Sequence, residues 1–294
     1  MLQTNKLKQA LRNGETVYGL LNSVPSPLLV EMLGYAGYDF VILDLEHVNT
    51  NPETLENMIR AAECAGLTTL VRVPGMDAAT ILRALDSGAQ GIVVPHVQNR
   101  AEAVAAVSAS RYHPQGQRGI SGGRTTGFGR LNLPSYFERA NAELLVAVMI
   151  EDRTGVENID AIVSVPGIDL VLEGAIDLSQ SYGVPGQAQH PDVQAAIMLS
   201  PMPATNTMCR SVPCRVCLNK RNTGFSAAFA LSCWAMTGAL PSGHSKRICR
   251  TGKTRHDSVR GYFQKTVVRP FLPGDSDCLT PANHCRQRHR TEFP

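Results

Sequence analysis

Acidic, basic and imidazole side chains follow several short apolar runs in the first two thirds of the sequence. These residues are Asp44, Glu46, His47, Arg72, His96, Glu151, Asp152, Glu173 and Asp177. Carboxylates can bind a divalent cation, an arginine can bind a substrate carboxylate through paired hydrogen bonds, and a histidine can transfer protons near neutral pH. Together these groups suit an enzyme that stabilises an enolate beside a carboxylate.

The apolar runs that precede these residues predict the strands of a barrel. The runs cover residues 16–21, 40–43, 69–73, 91–94, 144–150 and 170–172. They alternate with helix-like segments, which is typical of strands buried on both faces of a parallel sheet. The sequence has no G-x-G-x-x-G turn, which favours a barrel over a dinucleotide-binding sheet. We therefore predict an α/β fold, a (β/α)8 TIM barrel truncated after about six βα units.

The strand ends of such a barrel would bring the polar residues to one mouth, where barrel enzymes carry their active sites. Taken singly, each residue could be a solvated loop residue or an ion-pair partner, and Asp177 could cap a helix. Their collection at one mouth favours a functional site. Because no lysine follows these strands, we do not expect a Schiff-base aldolase.

Residue types predict two kinds of chemistry at this mouth. Glu151 and Asp177, after adjacent strands, offer hard oxygen ligands for Mg²⁺ or a similar ion. Such an ion could chelate a 2-oxo acid and stabilise its enolate, and Arg72 could bind the same substrate oxygens.

The proton chemistry is predicted to fall to His47. This residue could transfer a proton to or from the substrate, and either Asp44 or Glu46 could orient its ring.

Five motifs carry a family resemblance over about residues 5–197. They read GYDFVILDLEH, LVRVP, GAQGIVVPHV, AVMIED and LEGAIDLSQSYG. With these motifs the chain resembles the HpcH/HpaI aldolase family of the pyruvate/phosphoenolpyruvate barrel superfamily. The resemblance implies that His47 is the catalytic histidine and that Arg72 binds the 2-oxo acid.

The same resemblance implies a metal and a substrate-binding backbone. Glu151 and Asp177 take the two metal-ligand positions. The backbone at Gly174 and Ala175 faces the substrate carboxylate.

Two further segments, LKQALRNGETVYGLLNS and RYHPQGQRGISGGR, are most similar to a subgroup of that family. This subgroup comprises the citrate synthases of staphyloferrin B-type siderophore gene clusters. The resemblance implies condensation of oxaloacetate with acetyl-coenzyme A, and it implies that the metal is dispensable in this subgroup. Arg124 could then hold a second substrate carboxylate, or it could be an exposed loop arginine.

Composition divides the chain near residue 197. Residues 1–197 contain 13 Lys and Arg and 21 Asp and Glu, whereas residues 198–294 contain 15 Lys and Arg and only 4 Asp and Glu. Seven of the eight cysteines also lie in residues 198–294. We interpret residues 1–197 as an incomplete aldolase/citrate-lyase-like barrel domain and residues 198–294 as an aberrant basic, cysteine-rich tail. The two missing βα units are not recognisable in this tail.

Three interpretations of the tail compete. A zinc module is suggested by Cys214 and Cys217, but a second close pair at ligand spacing is missing. A basic nucleic-acid-binding tail would need clustered arginines, and these are dispersed. The third is translation in the wrong frame. If the reading frame is shifted by one base, the joined codons of Trp234 and Ala235 can encode only glycine. Codons can also be chosen for residues 233–248 so that the shifted frame encodes LGDDRGIAFRALKAHL. This string resembles the family's C-terminal part. An intact reading frame without an insertion or deletion across codons 190–200 would contradict this hypothesis.

The leading functional prediction is citrate synthesis from oxaloacetate and acetyl-coenzyme A for siderophore biosynthesis. The alternatives are a divalent-metal 2-oxo acid aldolase that releases pyruvate from a hydroxy-oxo diacid, and an inactive frameshifted remnant. The sequence has no signal peptide and no apolar run of bilayer length, so we expect a cytoplasmic enzyme of small molecules. We expect neither nucleic acid nor membrane as a partner, and a homo-oligomer if the barrel is complete.

Overall fold

The computed structural model describes residues 3–15, 17–199, and two short strands at 214–218 and 266–268. The strands are β1 (Val17–Asn22), β2 (Phe40–Asp44), β3 (Thr68–Arg72), β4 (Gly91–Val94), β5 (Leu145–Ile150), β6 (Leu170–Glu173), β7 (Cys214–Leu218) and β8 (Thr266–Val268). The helices are α1 (Lys6–Arg12), α2 (Pro27–Tyr35), α3 (Pro52–Cys64), α4 (Ala78–Asp86), α5 (Arg100–Ser110), α6 (Leu133–Glu143), α7 (Arg153–Glu157), α8 (Ile159–Val163), α9 (Ala175–Ser181) and α10 (Pro191–Leu199).

Strands β1 to β6 pair in parallel with their sequence neighbours, and helices connect them. This arrangement confirms the predicted α/β fold of six βα units. Helix starts follow the sequence signals. Ser26 and Asn51 cap α2 and α3 through their side chains, and a proline follows each cap. Among the described residues, no helix has both the length and the apolarity needed to cross a membrane.

Two tail strands close the ring of eight strands. β7 pairs in parallel with β6, and β8 pairs antiparallel with both β7 and β1. Both edges of the six-stranded sheet, β1 and β6, are therefore paired within the described residues. The short runs CRVCL and TVV are rich in β-branched and apolar residues, and a sheet edge offers unpaired backbone groups to any such run. The antiparallel β8 departs from the all-parallel strands of a (β/α)8 barrel.

A layer of apolar side chains fills the barrel interior, and α1 contributes to it from one end. Leu7 of α1 is 1% exposed and belongs to the same cluster as Phe40 and Leu145. An ideal Cβ at Gly19 would lie 2.3 Å from the Phe40 ring, so a glycine is needed where this ring packs. Helix α1 therefore packs at the end of the barrel opposite the predicted mouth.

A buried ion pair fixes α1 in this position. The Lys8 ammonium lies 2.9 Å from Asp169 Oδ1 and donates to the Leu144 carbonyl at 2.7 Å. Arg111 also binds Asp169, at 3.0 Å. Burial lowers the pKa of Lys8 from its ordinary value, and the nearby Asp169 opposes this shift.

Replacing Lys8 with alanine is expected to lower the free energy of unfolding by about 3 kcal/mol, the lower end for breaking a buried ion pair, because Arg111 still compensates Asp169. Urea denaturation followed by circular dichroism measures the change. The exposed Lys6 of the same helix is the control, and its change to alanine should cost no more than about 0.5 kcal/mol. Equal costs for the two variants would contradict the role given to the buried pair.

Candidate active site

A buried arginine–aspartate pair forms the base of the mouth. Asp44 ends β2 and Arg72 ends β3, and the two residues are register partners. Arg72 Nε donates to Asp44 Oδ1 at 2.9 Å and Nη2 donates to Oδ2 at 2.7 Å. Arg72 is 5% exposed and Asp44 is 3% exposed, so this paired contact is shielded from water. Such two-point pairing fixes the plane of the guanidinium.

The Arg72 guanidinium stays charged in this environment. Burial lowers its pKa, but the bonds to Asp44 and the negative charges of Glu46 and Glu151 outweigh burial and raise the pKa from its ordinary value. Of the five N–H groups of an arginine, two donate to Asp44, and Nη1 forms an ion pair with Glu46 Oε2 at 2.9 Å. The guanidinium therefore has donors left for a substrate carboxylate.

Asp44 also orders the loop that carries the other two predicted residues. Its Oδ1 accepts the backbone N–H of Glu46 at 3.0 Å and that of His47 at 3.4 Å. Asp44 therefore binds the backbone of His47 and the side chain of Arg72, and an orienting contact from Asp44 to the imidazole ring stays a prediction. The carboxylate near that ring belongs to Glu46, whose Oε2 lies 3.8 Å from His47 Nε2.

The two side chains differ in their access to solvent. The His47 side chain is 62% exposed at the mouth, whereas that of Glu46 is 9% exposed. Glu46 Oε2 accepts no hydrogen bond from the described residues, although Arg72 Nη1 lies close to it. The His47 ring is thus open to solvent at the mouth, beside a largely buried carboxylate.

Glu151 follows β5 and is buried on the same side of the barrel. It is 2% exposed, and its Oε2 accepts the backbone N–H of His96 at 3.0 Å. Burial raises the pKa of the Glu151 carboxyl, and the negative charges of Glu46 and Asp177 raise it further, whereas the contacts from His96 lower it. The site therefore concentrates negative charge around one buried carboxyl.

Gly174 and Ala175 lie beside Glu151 at the start of α9. An ideal Cβ at Gly174 would lie 2.2 Å from Glu151 Oε1 and 2.5 Å from its Cγ. The carboxylate can therefore lie against the β6–α9 turn only because residue 174 has no side chain. Ala175 is half-buried at this turn, and its expected contact with a substrate carboxylate stays a prediction.

Replacing Gly174 with alanine is expected to lower kcat by about 10²-fold. The added methyl group would push the Glu151 carboxylate out of place, and a displacement of about 1 Å in an active site has a cost of this size. Steady-state kinetics measure the effect. Gly75, in the loop after β3 at the same mouth, is the matched control because a Cβ there would meet nothing within 4 Å. Similar losses in both alanine variants would show that Gly174 is not needed to seat Glu151.

Two predicted residues have structural contacts instead. Asp152 caps α7 by accepting the Gly155 N–H at 2.7 Å. Arg124 forms an ion pair with Glu63 and donates to the Ser87 carbonyl at 3.0 Å. Glu63 and Ser87 lie at the C-terminal ends of α3 and α4, which lead into β3 and β4 at the end of the barrel opposite the mouth. The structure therefore does not bring Arg124 to the site as a holder of a second substrate carboxylate.

Glu151 and Asp177 fit the divalent cation that the fold family implies. Asp177 lies in the first turn of α9, close enough for its charge to raise the pKa of Glu151. A cation would relieve this repulsion between carboxylates. Within the described part of the chain, no cluster of three or more His, Cys, Asp or Glu residues has ligand geometry, so substrate oxygens and water would complete the coordination.

The sequence placed His96 at the mouth but gave it no role. In the structure its ring lies between two carboxylates, 3.2 Å from Glu46 Oε1 through Nε2 and 3.5 Å from Glu151 Oε2 through Nδ1. Its φ is +53°, a left-handed value that is uncommon outside glycine. The sequence could not reveal this conformation, because histidine after a strand is ordinarily a solvated loop residue.

Comparisons with known proteins show which family the chain resembles over most of its described residues. The profile of the HpcH/HpaI aldolase/citrate lyase family matches residues 18–228, more than half of the chain. Hydroxypyruvate/pyruvate aldolase from Sagittula stellata is 40% identical over 198 residues, which are 67% of this chain and 78% of that enzyme. 5-Keto-4-deoxy-D-glucarate aldolase from Enterobacter sp. strain 638 is 39% identical over 194 residues, with coverages of 66% and 75%.

Two solved structures are also similar to this chain in sequence and fold. The crystal structure of citrate synthase SbnG is 44% identical to this chain, with a TM-score of 0.61, and the match covers 66% of this chain and 75% of that one. The HpcH/HpaI aldolase from Desulfitobacterium hafniense matches with 35% identity, a TM-score of 0.63 and the same coverages. The aldolases and the citrate synthase therefore match the chain over a similar share of its length, about two thirds.

Proposed function

Since this chain belongs to the HpcH/HpaI aldolase/citrate lyase family, we propose that it forms citrate from oxaloacetate and acetyl-coenzyme A, as a step of siderophore biosynthesis. The observation that carries this proposal is the buried Arg72 guanidinium, which faces the mouth with donors left for a substrate carboxylate. The 44% identity to a citrate synthase structure supports the choice of substrates.

The proposed chemistry needs one anchor and one proton carrier. Arg72 binds the carboxylate of oxaloacetate beside its keto group. His47 removes a proton from the thioester methyl group, and the resulting enolate attacks the keto carbon, so that a C–C bond forms. The keto oxygen takes up the proton from His47 and becomes the hydroxyl of the product. Water then hydrolyses the thioester and releases coenzyme A and citrate.

The remaining residues orient these groups. Asp44 holds the plane of Arg72 and the backbone of His47. Glu46 lies between Arg72 and His47 and completes the charge balance of the buried arginine. A divalent ion, when bound to Glu151 and Asp177, would supply Lewis acidity toward the substrate oxygens.

Release of free thiol tests the proposal directly. The chain is incubated with oxaloacetate and acetyl-coenzyme A, with and without EDTA, and a thiol reagent follows coenzyme A. We expect thiol release that depends on oxaloacetate and persists in EDTA. Thiol release that is independent of oxaloacetate would indicate thioester hydrolysis and would overturn the proposal.

A second candidate is a divalent-metal aldolase that releases pyruvate from a hydroxy-oxo diacid. The paired carboxylates of Glu151 and Asp177 favour it, as do the curated relatives that are named aldolases. Under this alternative, EDTA abolishes activity and acetyl-coenzyme A has no effect. Pyruvate release that depends on Mg²⁺, without thiol release, would replace the citrate synthase proposal with this one.

A further inference from the structure

His96 makes three contacts with the two buried carboxylates of the site. Its backbone N–H donates to Glu151 Oε2 at 3.0 Å, and its ring Nδ1 lies 3.5 Å from the same oxygen. On the other side, Nε2 lies 3.2 Å from Glu46 Oε1. His96, a single residue in the loop after β4, therefore links the loop that follows β2 to the end of β5.

The backbone of His96 is held in a conformation that costs free energy. A φ of +53° places it in the left-handed region, where a non-glycine residue pays about 1 kcal/mol or more. The neighbouring residues explain how this conformation is maintained. Pro95 and Val97 are both buried, and the Val97 N–H donates to the Met149 carbonyl on β5 at 3.1 Å. The fold thus turns this loop toward Glu151.

The contacts of His96 separate two like charges. Glu46 and Glu151 repel each other and both surround Arg72, as their shared effect on its pKa indicates. Without a group between them, one carboxylate could turn toward solvent or compete with the substrate for Arg72. The imidazole fills this position, and its side chain, 51% exposed, faces the open mouth.

We propose that His96 is a positioning residue that holds Glu46 and Glu151 apart and keeps their carboxylates aligned with Arg72. The inference rests on the proposed function only for its assay, because the same alignment serves either reaction of the family. His96 acts through the two glutamates, and it is distinct from His47, which exchanges protons with the substrate.

Two substitutions separate the ring from the backbone. His96→Gly tolerates the left-handed conformation and keeps the N–H bond to Glu151, but it removes the ring. His96→Asn also tolerates this conformation and restores a polar group near Glu151, but its shorter side chain does not reach Glu46. Gln98→Ala is the control, since Gln98 lies in the same loop and its side chain bonds Asp152 at 2.8 Å without touching either glutamate.

We expect His96→Gly to melt at the temperature of the unmodified chain or above it, while kcat falls about 10- to 100-fold, the usual cost of removing an orienting partner. KM for oxaloacetate should change less than kcat, asparagine should restore part of the loss, and Gln98→Ala should keep its activity. An unchanged kcat in His96→Gly would overturn the proposal, as would a loss explained by a lower melting temperature.

The measurement also separates this inference from the proposed function. If the unmodified chain releases pyruvate instead of forming citrate, the citrate proposal fails and the same variants are compared in that reaction. If it catalyses neither reaction, calorimetric titration with oxalate, a planar dicarboxylate, provides the readout. A Kd that is about tenfold weaker in His96→Gly supports the positioning role, and an equal Kd contradicts it.

Discussion

Replacing Arg72 with lysine is expected to lower kcat/KM for oxaloacetate by about 10²–10³-fold, comparable to removing a preorganised donor from an active site. Lysine keeps the positive charge between Asp44 and Glu46, but it cannot make the two-point bond that fixes the guanidinium plane. The substrate carboxylate would then lose its oriented donors. Initial rates of thiol release at varied oxaloacetate concentration measure the loss.

The matched control for this substitution is Arg60→Lys. Arg60 is an exposed residue of α3 that pairs with Glu56 four residues earlier, and such pairs contribute little to stability. Its replacement should leave both activity and melting temperature unchanged. An Arg72→Lys variant with near-normal kcat/KM would contradict the assignment of Arg72 as the anchor of the 2-oxo acid.

Restoring the shifted frame after residue 197 is expected to raise the rate of C–C bond formation by about 10²-fold or more, because small misplacements of reacting groups have costs of that size. In the present chain the ring is closed by β8, which pairs with β1 over three residues and runs antiparallel. Two complete βα units would replace this closure and bury more surface against β6 and β1.

Urea denaturation tests the same change independently of catalysis. The restored chain should show a larger dependence of unfolding free energy on urea, since this slope grows with the surface that unfolding exposes. Equal slopes and equal activities for the two chains would show that residues 198–294 complete the barrel as they stand. The proposed division of the chain at residue 197 would then be wrong.

Local sequence patterns predicted the six βα units and the mouth that gathers Asp44, Arg72 and Glu151. Helix caps such as Ser26 and Asn51 were also predictable, because capping depends on residues only three positions apart. These features depend on the chain's own neighbours, so no tertiary information is needed to find them.

Features that depend on distant parts of the chain were not predictable. Arg124 pairs with Glu63, which is 61 residues earlier, so its place at the opposite end of the barrel is a tertiary property. Asp44 binds Arg72 only when β2 and β3 pair. The left-handed backbone of His96 likewise depends on the packing of β4 beside β5. Closure by β8 required backbone pairing that its sequence alone does not specify.

The fate of the methyl carbon of acetyl-coenzyme A distinguishes C–C bond formation from simple hydrolysis of the thioester. Acetyl-coenzyme A labelled with ¹³C at this carbon is incubated with oxaloacetate and either the unmodified chain, the frame-restored chain or its Arg72→Lys variant, and the products are identified by NMR. We expect the label to enter a methylene carbon of citrate, fastest with the frame-restored chain and about 10²–10³-fold more slowly with the lysine variant. Label that remains in acetyl-coenzyme A or appears only in acetate would contradict the proposed C–C bond formation.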